Sequence, residues 1–232
     1  MTIKHNFFGL ECEIDRELFE YSNVEKALKE KGWQYRAINF VNQIHSNQVL
    51  VIDGENKIHG KQNLPKADAI VTSVEKLIIA IVTADCAPIV IKDESAKVVA
   101  IIHAGWPGAK SGVIKNAVEE MKKLGAKPQE MKAFIGPMIH QKSYQISQEF
   151  YDDFLQDDKN NVKFFVKDSV EGKFLFDLVA FVEEKLKQLG VVKIDNVNID
   201  TYSNFEKFAS YRKACHQGKK SGGRNVSIAM ID

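Results

Sequence analysis

The sequence predicts an α/β (α+β) fold, a single domain with a mixed β-sheet core flanked by helices. Three observations carry this. First, short runs at 77–82, 89–91 and 98–102 are rich in Ile and Val and alternate little with polar residues. That pattern marks strands covered on both faces. Second, Val113, Ala117, Met121 and Leu124 fall on one helical face, as do Leu178, Phe181, Val182, Leu186 and Leu189. Third, strand-like and helix-like segments mix without a regular βαβ period or an internal repeat. No shift in composition marks a linker, so one domain spanning 1–232 is expected.

Taken in order, Ser22 and Glu25 read as a capping box opening a helix that Gly32 closes. Short strands are expected at 37–41 and 48–52, with a turn at Asp53-Gly54. The three apolar runs follow. Ser111 is placed as the cap of the next helix, which Gly125 ends. A buried strand at 133–135 stops at Gly136-Pro137. Ser147 caps a helix bearing Phe150, Tyr151, Phe154 and Leu155, and 157–161 is a polar loop. Asp177 caps the next helix, closed by Gly190. Late strands are expected at 197–199, 208–211 and 226–231, with a basic, Gly-rich loop over 212–224.

Composition narrows the function. The chain has 232 residues, 44% of them apolar and 27% charged, with a formal net charge of +1. A near-neutral chain calls for no polyelectrolyte, so neither nucleic acid nor an anionic membrane is expected as partner. The longest apolar stretch, 77–91, is broken by Asp85 and Pro88 and is shorter than a spanning helix. No signal-like segment opens the chain, and three scattered Cys suit a reducing compartment; a cytoplasmic location is expected.

All imidazole and thiol chemistry must come from His5, His45, His59, His103, His140, His216, Cys12, Cys86 and Cys215. Two of these lie just past buried strands: Cys86 in Thr83-Ala84-Asp85-Cys86-Ala87-Pro88, and His103 in His103-Ala104-Gly105-Trp106-Pro107-Gly108. His45 lies in Gln43-Ile44-His45-Ser46 between two strands. Strand ends meet at a rim where sites collect. Asp85 is a carboxylate in an apolar stretch and needs a partner there. Two chemistries remain open. His45, Cys86 and His103 suit one Zn²⁺ or copper ion with a fourth position left open. Alternatively, Cys86 is a nucleophile and His103 its base, with no metal. Taken singly, a Cys in a strand is most often packing. The loop at 212–224 carries two of only four Arg, Arg212 and Arg224, among Lys and Gly. It reads either as an oxyanion grip or as a solvated loop.

Together the segments resemble the YfiH-type laccase-domain family, also called multicopper polyphenol oxidase domain proteins and described as purine nucleoside phosphorylases with adenosine deaminase activity. The resemblance rests on Gln43-Ile44-His45-Ser46, Ala84-Asp85-Cys86-Ala87-Pro88 and the His103–Gly108 segment, and then on Ile135-Gly136-Pro137, Tyr144 and Ser210-Tyr211-Arg212. It implies a YfiH-like fold, with His45, Cys86 and His103 as both catalytic residues and metal ligands. Zinc is expected first and copper second. It implies Asp85 as a catalytic or orienting carboxylate, and Gln43, Tyr211, Arg212 and Arg224 at the substrate. The implied substrates are purine nucleosides and phosphate, for a monomer or small homo-oligomer. A non-catalytic metal-binding relative is the remaining alternative. The chain departs from the family pattern in a shortened region before the first helix, in Pro107 where the family has Arg, and around Asp200 where it has Cys. Six His and no His-x-His pair are too few for four-copper oxidase chemistry.

Overall fold

The structure is a computed structural model describing residues 2–15, 20–54, 64–219 and 223–232. The strands in chain order are β1 (Ile3–Phe8), β2 (Ile14–Asp15), β3 (Ala37–Asn39), β4 (Val49–Ile52), β5 (Ala69–Thr72), β6 (Leu77–Thr83) and β7 (Ala87–Asp93). They continue with β8 (Val98–Ala104), β9 (Lys132–Ile135), β10 (Gln145–Ser147), β11 (Phe165–Lys167), β12 (Lys173–Phe176), β13 (Lys193–Asn196) and β14 (Gly223–Ile231). The helices are α1 (Ser22–Glu30), α2 (Trp106–Ser111), α3 (Val113–Lys123), α4 (Gln148–Asp157), α5 (Leu178–Gln188) and α6 (Tyr211–His216).

Two mixed sheets and one small antiparallel sheet result. The first sheet runs β1-β14-β6-β3, with β2 added beside β14; only β3 and β6 are parallel. The second runs β13-β9-β7-β8-β5-β4, antiparallel in its middle and parallel at both edge pairs. The third is β10-β12-β11.

Side-chain parity shows why the apolar runs are continuous. On β6, Ile79 and Ile81 join one core cluster, while Ile78 and Ala80 join another beneath α1 with Val24 and Leu28. On β8, Val99 and Ile101 share the cluster of Ile79 and Ile81, while Ala100 and Ile102 pack with Val113, Ala117 and Phe181. The two large sheets are therefore stacked, with helices covering both outer faces, and each central strand is buried on both sides. The connections β3–β4 and β6–β7 carry the chain from one sheet to the other.

The mixed-sheet expectation and the central strands hold. Several element ends differ. Ser22 is the first helical residue rather than a cap: Tyr21 precedes the helix and no side chain caps it. Ser111 ends α2, and Gly112, at φ 98°, turns the chain into α3. Only glycine takes that backbone cheaply, so the break belongs to it. Ser147 and Asp177 do cap their helices, accepting from the N–H groups of Phe150 and Ala180. The expected strand at 197–199 lies earlier, at Lys193–Asn196. The expected strand at 208–211 is instead an irregular lead into α6, which starts at Tyr211 because Ser210 accepts the Lys213 N–H and caps the helix. Part of the predicted basic loop is thus helical, and Lys220 and Gly222 lie outside the described residues, as does His59. No helix among the described residues is long and apolar enough to cross a membrane.

Candidate active site

His45 sits in the β3–β4 connection, in left-handed backbone at φ 59°. This is an unfavourable region for a residue with a Cβ. Three successive backbone N–H groups hold it there by converging on one carboxylate. Ile44, His45 and Ser46 donate to Asp68 at 3.3, 2.9 and 2.6 Å. The Ser46 hydroxyl adds a bond of 2.7 Å. Gln43 clips the same segment to β6: its amide donates to the Val82 carbonyl at 2.7 Å and accepts the Val82 N–H at 2.8 Å.

Cys86 lies in the β6–β7 connection and His103 near the end of β8. Their ligand atoms and that of His45 lie within 4.8 Å of one another. Cys86 Sγ is 3.8 Å from His45 Nε2, and His103 Nδ1 is 2.8 Å from Asp68 Oδ1. The close fit needs glycines. A Cβ at Gly105 would lie 2.8 Å from His45 Cδ2 and 2.9 Å from Cys86 Sγ, and one at Gly108 would lie 2.8 Å from the Ser46 carbonyl oxygen. The glycines of the third segment thus let α2 approach the other two.

Asp85 is buried, with φ 84°. One oxygen accepts the Thr201 hydroxyl and the other the Arg212 N–H, each at 2.7 Å. The carboxylate therefore ties the β6–β7 turn to the start of α6.

Electrostatics favour a charged pair in the metal-free protein. Burial pushes the Cys86 thiol up, but His103, then His45, outweigh this and bring it down to about 6. Burial works against the His103 imidazolium, yet Cys86 and Asp68 raise it to about 9. Burial also acts against the Asp68 carboxylate, and bonds from His103 and Ser46 hold it at about 2. Cys12 is the contrast: burial, helped by the Glu11 carboxylate and only weakly opposed by Lys31, pushes its thiol up to about 11.

Two imidazole nitrogens and one thiolate are the donors a Zn²⁺ or copper site takes. The 3.8 Å Cys86–His45 separation is close to the edge of a tetrahedron with bonds of about 2.0–2.3 Å. No fourth protein donor joins them, and this is the single such cluster among the described residues. The donors border a cavity of about 1050 Å³. Asp85, Gln43, Tyr211, Arg212 and Arg224 line it too, so every site residue selected from the sequence meets this one space. The Arg212 guanidinium lies 5.4 Å from the Tyr144 ring centre and donates to the Gln145 carbonyl at 2.7 Å. Trp106 and Phe150, 4.8 Å apart, complete an aromatic wall.

Sequence reading missed Asp68 and that wall. Asp68 had a signal: like Asp85, it is a carboxylate heading an apolar run, here 69–71. Trp106 and Tyr144 stood in the segments that carry the resemblance but had no role assigned, and Phe150 was read only as part of a helix.

The family model described as multi-copper polyphenol oxidoreductase laccase matches residues 12–232. The chain belongs to this family. A purine nucleoside phosphorylase of Rickettsia prowazekii is 38% identical over 99% of this chain and 89% of its own length. An adenosine deaminase from an unknown prokaryotic organism is 33% identical over 78% of this chain and 70% of its own. The crystal structure of the YfiH protein of Bacillus licheniformis superposes with a TM-score of 0.83 at 23% identity, covering 97% of this chain and 85% of that one. It shows that this laccase-family chain has the YfiH fold.

Proposed function

We propose that this laccase-family chain is a zinc-dependent purine nucleoside phosphorylase that also deaminates adenosine. The carrying observation is the convergence of His45, Cys86 and His103 on one side of a cavity that Arg212 and Arg224 line as well. Relatives bearing both activity names support the substrate class.

His45, Cys86 and His103 would hold the ion. When bound, it supplies Lewis-acid activation of water at neutral pH, as attack at C6 of adenine requires. The other roles belong to the chain. Asp68 orients His103 and the His45 backbone. Arg212 is braced by Tyr144 and Gln145, and its planar fork has further N–H donors suited to phosphate or ribose oxygens. Arg224 adds positive charge to the same cavity. Tyr144, Trp106 and Phe150 present flat apolar surface to a purine. Both Asp85 oxygens already accept bonds, which favours a role in orienting Arg212 over proton transfer. In phosphorolysis, a phosphate oxygen bonds to C1′ of the ribose as the C1′–N9 bond breaks. The bond's electron pair leaves with the base, which takes up a proton.

Adenosine incubated with purified protein tests this. Adenine and ribose 1-phosphate are expected with phosphate, inosine without it, and neither from Cys86→Ala. Absence of both products from the wild type, or unchanged products from the variant, rejects the proposal.

A metal-free Cys/His hydrolase or deamidase is the second reading. It draws on the thiol of Cys86 being lowered to about 6 beside His103. Metal content separates the two, since a stoichiometric ion lost in His45→Ala argues for the first. The open cavity and three donors argue against a purely structural metal plug. Four-copper oxidase chemistry, which the family description suggests, would need more imidazole than six His provide.

A further inference from the structure

We infer that Asp68 is the positioning residue of this centre: one buried carboxylate fixes which nitrogen His103 offers to a metal and, at the same time, holds the backbone that presents His45. The inference rests on the reading that His45, Cys86 and His103 bind a metal.

Asp68 is fully buried immediately before β5, and its carboxylate meets three backbone N–H groups, the Ser46 hydroxyl and one ring nitrogen of His103. Oδ1 accepts the His45 N–H at 2.9 Å and faces His103 Nδ1 at 2.8 Å. Oδ2 accepts from the Ser46 N–H, the Ser46 hydroxyl and the Ile44 N–H. An ionised carboxylate only accepts, so His103 Nδ1 must carry a proton. In the neutral ring a metal needs, Nε2 then holds the lone pair. A carboxylate behind a ligating histidine is a recurrent way of fixing tautomer and ring orientation. Here the arrangement goes further. The Asp68 carbonyl also accepts the His103 backbone N–H at 2.7 Å, so both backbone and side chain of Asp68 hold that residue. The same side chain gathers the three N–H groups around the left-handed His45. Two ligands, one from the β3–β4 connection and one from β8, are thereby set by one residue.

Asparagine has nearly the same shape and cannot do this. With its oxygen at the Oδ1 position, its NH₂ meets the N–H groups of Ile44 and Ser46. With the amide turned over, the NH₂ meets the His45 N–H and donates to His103 Nδ1. That moves the ring proton to Nε2, the nitrogen the metal needs.

The test is Zn²⁺ affinity of the full chain, by competition with a chromophoric chelator, alongside the visible spectrum of the Co²⁺ form. Asp68→Asn is expected to lose about 10- to 100-fold in Zn²⁺ affinity and to shift the cobalt bands. Ser46→Ala removes the hydroxyl's bonds to Asp68 and to the Gln48 N–H but leaves the carboxylate and its three backbone donors in place, so affinity should stay within about threefold of wild type. An Asp68→Asn protein with wild-type affinity and an unchanged cobalt spectrum overturns the inference alone. Should Asp68→Asn fail to fold, long-range ¹H–¹⁵N NMR of the zinc-loaded wild type decides. A proton on His103 Nδ1 with a metal-shifted Nε2 is expected, and the reverse assignment refutes it. A wild type that takes up neither Zn²⁺ nor Co²⁺ removes the metal reading as well.

Discussion

Gly105→Ala should separate folding from metal binding. The Gly105 backbone, at φ −67° and ψ 161°, suits alanine, so the substitution adds no backbone strain. What it adds is a methyl group 2.8 Å from His45 Cδ2 and 2.9 Å from Cys86 Sγ. Non-bonded carbons prefer about 3.5–4.0 Å, so one or both side chains must retreat by roughly 0.7–1 Å. Both are side-chain atoms next to a cavity, and they have room to move. The stability cost should therefore fall at or below the low end of overpacking, about 1 kcal/mol. Metal sites tolerate distance errors of only about 0.2 Å. A displacement several times larger should lower Zn²⁺ affinity by about tenfold or more. Chelator competition reads the affinity, and thermal unfolding in excess EDTA reads the fold. A variant that keeps wild-type affinity would refute the claim that Gly105 is required by the approach of the two ligands. One that unfolds outright would refute the claim that the strain is local.

Other expectations follow from the same geometry. In metal-stripped protein, Cys86 lies at about 6, so its thiolate predominates above that pH and protonates below it. Iodoacetamide labelling of Cys86 should already be near its plateau at pH 7 and fall on acidification through 6, while Cys12, raised to about 11, stays unlabelled. Labelling of Cys86 that climbs only above pH 8 would contradict the cation pairing. Arg212→Ala should raise KM for phosphate by about tenfold or more, the scale of a lost charge-assisted contact, with metal content unchanged. An unaltered KM would place the phosphate elsewhere. Asp177→Ala removes the cap bond of 2.9 Å to Ala180 and should cost about 1 kcal/mol, or about 2–4 °C in Tm. Metal affinity should not change, and calorimetry with metal titration checks both.

The parts of this molecule that were legible in the sequence are those with one dominant local cause. Strands β6, β7 and β8 are buried on both faces, so their apolar runs announce them. Cys86 and His103 stood out because each lies at the end of such a run, and His45 because it sits in a distinctive segment between two shorter strand-like runs. β1 was missed because its middle, Lys4 to Phe7, is half-buried and mixes polar with aromatic residues. β10, β11 and β12 have three or four residues each and rely on one another and on α4. The segment Phe208-Ala209-Ser210-Tyr211 looked like a strand, but a serine three residues ahead of the Lys213 N–H capped a helix instead. Asp68 was legible in principle. The reasoning that singled out Asp85, a carboxylate in apolar surroundings that requires partners, applies to it equally, whereas its partners at 44–46 and 103 are visible only in three dimensions.

Two of the crossings between the stacked sheets, β3–β4 and β6–β7, lead to a consequence of another kind. His45 lies in one crossing and Cys86 in the other, while His103 belongs to a central strand of the second sheet. An ion held by all three would act as a rivet at one end of the seam between layers. Loading it would then slow amide hydrogen exchange most in the segments around 43–46 and 84–88, because local opening there would first require release of the ion. Depletion would loosen that end of the sandwich while leaving the far ends of β6 and β8 as protected as before. The same ion proposed for the chemistry would thus set how readily the rim of the cavity breathes.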